Sequence, residues 1–205
     1  MAAPPRFHLS HTVMNLRLFA LGALCAVVGA SACSDPLHIT AQTPILVDTL
    51  SVYALSGAAP SLPNGLDVFT LQPTRVDGFA AFDIAFDIVS PTQVRVLPVH
   101  LVVSSPTGVR IVGLARAPGV FEALGNAPSS GYQTDSSVVL SIGDLMVIQT
   151  TRAQAGEICS YSISPYLYAK LAILSVDVSS RLIRFVIGLD PNCGFRSFQP
   201  GIPTS

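Results

Sequence analysis

The stretch Phe82-Asp83-Ile84-Ala85-Phe86-Asp87-Ile88 constrains the fold most, because Phe82, Ile84, Phe86 and Ile88 alternate with Asp83, Ala85 and Asp87. Successive side chains of a β-strand point to opposite faces, so a period of two gives one apolar face and one polar face. Such a strand is stable only when its apolar face is buried against a second layer. The question for the rest of the chain is whether it supplies that layer from strands.

It does. Ile45–Leu55 is rich in apolar and β-branched residues and stops at Ser56-Gly57, and a loop with Pro60, Pro63, Asn64 and Gly65 follows. Asp67–Leu71 reads as a short strand closed by Pro73. Val94–Val103 is apolar apart from Arg95 and Pro98. Proline cannot donate to a ladder, so Pro98 marks an edge, a bulge or a bend. Val109–Ala117 is another strand, and Val138–Thr150 reads as two short strands around Gly143-Asp144 or as one bent strand. Leu171–Val178 and Leu182–Leu189 flank Ser179-Ser180-Arg181 as a hairpin. Residues 166–174 admit a helix too, since Leu167, Lys170, Leu171 and Leu174 follow Pro165 at helical spacing; the β-branched run after them favours a strand. Seven or eight short strands with regular turn signals predict an all-β fold, an antiparallel β-sandwich, with a closed β-barrel as the rival. With no tryptophan there is no Cys–Trp–Cys pattern, so a true immunoglobulin domain is not indicated, while an Ig-like or similar sandwich stays open. Residues 118–135 carry three glycines and two prolines among polar residues, the longest irregular stretch and the best candidate for an exposed functional loop.

Half of the chain is hydrophobic and only 11% is charged. The one uninterrupted apolar stretch, Leu18–Ala32, falls short of the roughly 20 residues of a spanning helix. Arg17 precedes it and the small residues Gly29-Ala30-Ser31-Ala32 end it, which is the pattern of a secretory signal peptide. Met14 is placed to start such a signal, with residues 1–13 an upstream extension or a long n-region. Ala30-Ser31-Ala32 fits a cleavage site, and Cys33 follows it. The tetrapeptide Ala30-Ser31-Ala32-Cys33 resembles a bacterial lipobox, with Ala30 where leucine is usual, and the chain so resembles an uncharacterised bacterial lipoprotein. The resemblance implies lipidation of Cys33 and tethering to the membrane of the cell envelope. Ser34 after the cysteine resembles outer-membrane sorting. Ordinary cleavage to a soluble periplasmic or secreted protein is the alternative. The expected organisation is a signal peptide over 1–32, a lipid-anchored tether over 33–44 and a β-sandwich domain over 45–205.

Four cysteines are present. Cys25 leaves with the signal and lipid accounts for Cys33. Cys159 and Cys193 remain as an even pair in an oxidising compartment, and a disulfide between them is expected. It would close a loop of about 35 residues, worth about 3–4 kcal/mol on the chain-entropy account. Two cysteines without neighbouring histidines do not complete a zinc shell, so no metal site is expected.

Nine basic and twelve acidic residues follow Cys33, Lys170 is the only lysine, and no basic cluster exists. That excludes the electrostatic footprint of a nucleic-acid binder. Past the signal the histidines are His38, in the tether, and His100, inside an apolar run, where a structural or edge-strand role is expected. Neither sits in a nucleophile motif. Asp83 and Asp87 on one strand face stand roughly 13 Å apart by the strand rise, too far for one ion, and read as solvated polar-face residues. Glu122 and Glu157, the only glutamates, read as loop residues. Tyr161, Tyr166 and Tyr168 form the one aromatic concentration, a possible binding surface for an envelope protein or a glycan, or ordinary packing beside the Cys159 bridge. No cofactor is implied. The sequence thus points to a non-enzymatic envelope domain that binds a partner or serves structurally. The alternative is an envelope hydrolase whose catalytic residues assemble only in the fold.

Overall fold

A computed structural model describes residues 41–76, 82–103, 110–151, 159 and 164–203. The chain divides into two units, Met1–Ile39 and Thr40–Ser205, and every described residue belongs to the second. The segment expected to be a signal peptide and Cys33 therefore lie outside the described residues.

Ten strands are described: β1 (Leu46–Tyr53), β2 (Gly65–Asp67), β3 (Gln72–Thr74), β4 (Ile84–Ser90), β5 (Gln93–Pro98), β6 (Val112–Ala117), β7 (Val138–Ser141), β8 (Leu145–Thr151), β9 (Tyr166–Asp177) and β10 (Leu182–Asp190). They form two antiparallel five-stranded sheets, ordered β1-β10-β9-β8-β6 and β3-β2-β4-β5-β7. The sheets are open, so the fold is a sandwich and not a closed barrel.

The core is the apolar side of both sheets. Phe185, Ile187 and Leu189 of β10, Leu171 of β9 and Ile148 of β8 meet Ile84 and Phe86 of β4 and Val94 and Val96 of β5. Phe86 and Phe185 stack across the sandwich with ring centroids 4.9 Å apart. The period-two strand at residues 84–88 is β4, and it does supply one wall of the core. The hairpin around Ser179-Ser180-Arg181 joins β9 to β10 as the turn signals indicate. Residues 166–174 are strand throughout, so the helical spacing there is incidental. The segment 138–150 is two strands, and its short turn at Gly143-Asp144 carries the chain from one sheet to the other.

Three readings are corrected. The strand expected at Asp67–Leu71 overlaps β2 only at Asp67, with residues 68–71 forming the turn into β3, and Pro73 does not stop a strand but lies in β3, on a sheet edge, where a missing N–H costs no ladder bond. The apolar run Val94–Val103 leaves the ladder at Pro98 and continues as a single 3-10 turn, Val99–Leu101, which presents His100 to solvent. Asp83 is not solvated: it is fully buried. The backbone bends at Asp83, just before β4, and breaks the alternation. Its carboxylate accepts from Val68 N–H at 2.7 Å, Thr150 Oγ1 at 2.8 Å and Arg110 Nη1 at 3.2 Å. Because Val68 follows β2 and Thr150 lies in β8, this carboxylate ties the two sheets together. Burial pushes its pKa up, and the Arg110 guanidinium opposes that. Asp87 is half-buried and accepts from Ser56 and Arg181, joining the β9–β10 turn to the segment after β1.

Candidate functional site

Sheet β1-β10-β9-β8-β6 has a second, outer face, and the sequence signals its fate. β9 is buried at seven successive positions, Leu167 to Ile173, so it is covered on both sides. The cover consists of residues 118–135 and the C-terminal tail, which lie on the sheet and pair with each other. Ala127 N–H donates to the Arg196 carbonyl, Phe198 N–H donates to the Gly125 carbonyl, and Arg196 donates twice to the Ala127 carbonyl. The longest irregular region is therefore a cap, although its turns at Gly119 and Gly131 are exposed.

Lys170 holds the cap down. It projects from the middle of β9 and is 4% exposed. Its ammonium donates to the carbonyls of Phe121 at 2.6 Å and Leu124 at 3.1 Å, and lies 4.5 Å from the Phe121 ring centroid and 5.6 Å from that of Phe198. Two carbonyls and two ring faces replace the water that burial removes. Desolvation still lowers its pKa, against the pull of Glu122. Gly188 makes room for this stem, since a Cβ there would meet Lys170 Cε at 3.2 Å and Phe121 Cζ at 3.3 Å.

The tyrosines expected to form a binding surface are split by this arrangement. Tyr168 is 6% exposed, beneath the cap. Its hydroxyl accepts from Gln149 Nε2 at 3.0 Å and its ring lies 6.1 Å from that of Tyr132. Tyr132 donates to the Pro128 carbonyl, and burial pushes its phenol pKa upward. Tyr166 is half-buried and packs at the margin of the same apolar cluster. Tyr161 lies outside the described residues, as do His38 and Glu157. Packing is thus the role observed for Tyr168, and Tyr166 alone of the three has described surface to offer. Cys159 and Cys193 have their Sγ atoms 2.09 Å apart, a disulfide across a separation of 34 residues.

Concave surface occurs along the open side of the sandwich, where the edge strands β6 and β7 run near each other. Two shallow grooves, about 480 Å³ and about 460 Å³, flank Arg116. The first has Gln133, Ser136 and Ser137 on its rim, and the second Gly119, Gly143 and Asp144. Arg116 sits between them, its side chain 58% exposed, 3.3 Å from Asp144 and donating to the Val139 carbonyl on the edge of β7. Backbone bonds between Leu114 and Gln133 cover part of the β6 edge. Neither groove is lined by histidine, so neither brings a base to the serines there. Their chemistry is that of hydrogen-bonding surfaces with one exposed guanidinium. Pro118, Gly119, Gly131 and Gln133 belong to the 118–135 stretch expected to be a functional loop, whereas Arg116, Ser136 and Ser137 were not singled out, because they carry no motif. Among the described residues, no group of three or more His, Cys, Asp or Glu is placed to hold a metal ion, and no helix is long and apolar enough to cross a membrane.

No family model matches the chain, and neither does any curated protein or solved structure.

Proposed function

We propose that the protein is a lipid-anchored domain of the bacterial cell envelope, carried on an acylated Cys33, that binds an envelope protein or glycan or serves structurally rather than catalysing a reaction. The observation that carries the anchor is the order Arg17, Leu18–Ala32, Cys33, with small residues directly before the cysteine. Each lipid methylene buried contributes about 0.8 kcal/mol, and more than one chain is needed for stable attachment, which an acylated N-terminal cysteine supplies.

The non-catalytic part of the proposal has different support. Two buried charged groups of the described domain are engaged in holding it together. Asp83 ties the two sheets, and Lys170 fixes the cap. Perturbed groups at a catalytic centre would instead converge on a cleft. The grooves beside Arg116 are shallow and of mixed polar and apolar lining, and an exposed guanidinium lies between them. The outer membrane is the proposed destination, on the strength of Ser34.

The test is fractionation of cells producing the wild type and Cys33→Ser. The proposal expects wild type in the detergent-extracted membrane fraction and the variant released in soluble form or retained with an uncleaved signal. Equal release of both proteins by osmotic shock would reject the anchor.

A further inference from the structure

The C-terminal end of β10 carries a fully buried carboxylate that the reading above does not use. Asp190 is 0% exposed. One oxygen, Oδ1, accepts from the backbone N–H of Asn192 at 2.9 Å and from its side-chain Nδ2 at 2.8 Å. The other, Oδ2, is buried with no hydrogen-bond partner. Buried polar atoms are nearly always paired, so an orphan carboxylate oxygen calls for a reason.

The partner of Asp190 gives one. The bond from Asn192 Nδ2 to Asp190 orients the amide. With that orientation Asn192 Oδ1 accepts from the backbone N–H groups of Gln42 at 2.9 Å and Thr43 at 3.1 Å, and Nδ2 also donates to the Thr43 carbonyl at 2.7 Å. Gln42 and Thr43 are the stem by which the N-terminal part of the chain joins β1. One side chain thus holds the stem, and one carboxyl group aims that side chain.

We propose that Asp190 and Asn192 form a proton-sensitive latch on this stem, closed while Asp190 is protonated and loosened when it ionises. A proton on Oδ2 makes the group neutral, the state its surroundings accept. Its loss places a charge where no cation answers it. Opposite Asp190 on β9 stands Tyr168, whose hydroxyl is engaged with Gln149. The next outward-facing position on β9 is Lys170, committed to the Phe121 and Leu124 carbonyls. Arg196 in the tail is committed to the Ala127 carbonyl, and the Gln42–Thr43 stem brings no charge. Among the described residues Asp190 therefore has no ion-pair partner. Opening the latch lets water reach the carboxylate, so ionisation favours the open form. Desolvation, opposed by the two bonds from Asn192, raises the pKa from 3.8 to about 6. If opening restores the ordinary value, the open fraction rises by at most about a hundredfold across that window.

The experiment is NMR of the isotope-labelled chain, following the Asp190 side-chain carboxyl carbon and amide exchange at Gln42 and Thr43 over about pH 4.5 to pH 7.5. After correction for the intrinsic pH dependence of exchange, protection at Gln42 and Thr43 is expected to fall between about tenfold and a hundredfold. Its midpoint is that of the Asp190 carbon, and protection at Gln42 and Thr43 stays below that at Phe185 at every pH, because the latch opens without the core. Asp190→Asn is expected to abolish the pH dependence. Flat protection in the wild type, a midpoint unrelated to the Asp190 carbon, or protection at Gln42 and Thr43 equal to that at Phe185 would overturn the latch. A folded Asp190→Asn variant with the wild-type pH profile would do the same. Should that variant not fold, the wild-type comparison of carbon and amide midpoints decides alone.

Discussion

Replacing Lys170 with methionine tests whether the cap is held by a charge. Methionine keeps the unbranched stem that lies over Gly188 and removes only the ammonium. The buried Phe121 carbonyl and the half-buried Leu124 carbonyl then lose their donor. A buried acceptor left unpaired costs about 1–3 kcal/mol. The contacts with the Phe121 and Phe198 rings, at 4.5 and 5.6 Å, add about 0.5–2 kcal/mol. Relief of the ammonium's desolvation, visible in its lowered pKa, works the other way. The net expectation is a loss of about 2–4 kcal/mol, the low end applying if water reaches the Leu124 carbonyl. With a urea slope of about 2 kcal/mol per molar, the unfolding midpoint falls by about 1–2 M. The assay is urea unfolding followed by tyrosine fluorescence, since the chain has five tyrosines and no tryptophan. Limited proteolysis is expected to cut the variant first within residues 118–135. A variant within about 0.5 kcal/mol of wild type, with unchanged cleavage, would refute the idea that Lys170 fastens the cap.

Three further outcomes follow from the same contacts. Phe185→Ala removes half of the inter-sheet stack and is expected to cost about 3–5 kcal/mol in the same urea assay. Asp190→Asn is expected to raise stability above pH 6 relative to wild type. The folded pKa is raised, so the folded state holds the proton more tightly, and wild-type stability declines as pH climbs from about 4 to about 6 and then levels; thermal melts at both ends of that window check it. Arg116→Ala removes an exposed ion pair and is expected to change stability by less than about 1 kcal/mol, while weakening any partner that binds the flanking grooves, as a pull-down with purified envelope proteins or glycans would register.

The fold was legible wherever burial on one face imposed alternation. β4 announces itself this way, and the β9–β10 hairpin through its Ser179-Ser180-Arg181 turn. The outer cap was not legible as a loop, because residues 118–135 have the glycine, proline and serine content of exposed turns. The signal lay instead in β9, where Tyr166–Ile173 runs apolar on both faces around a single lysine. A strand with no polar side must be covered twice, and a lone lysine in it must find carbonyls. Asp83 misled for a local reason, since one bend before β4 turned a position of the polar face inward. The grooves beside Arg116 have no linear signature, because β6, the 131–137 segment, β7 and the Gly143-Asp144 turn meet only in three dimensions. The disulfide partners were readable from cysteine counting once Cys25 was assigned to a signal and Cys33 to lipid, since those two assignments leave Cys159 and Cys193 as the pair. Asn192 and the stem it grips were not, since a side-chain bond across 149 or 150 residues leaves no trace in spacing.

The sandwich is proposed to reach the envelope on a lipid-bearing Cys33, with Cys159 and Cys193 joined. Intact mass of the membrane-extracted protein, before and after reduction and alkylation, tests it most directly. The account predicts the mass of residues 33–205 plus acyl groups, with two thiols appearing only on reduction. An unmodified chain with a freely alkylated thiol at Cys33 would contradict it, and would make the protein a soluble exported one.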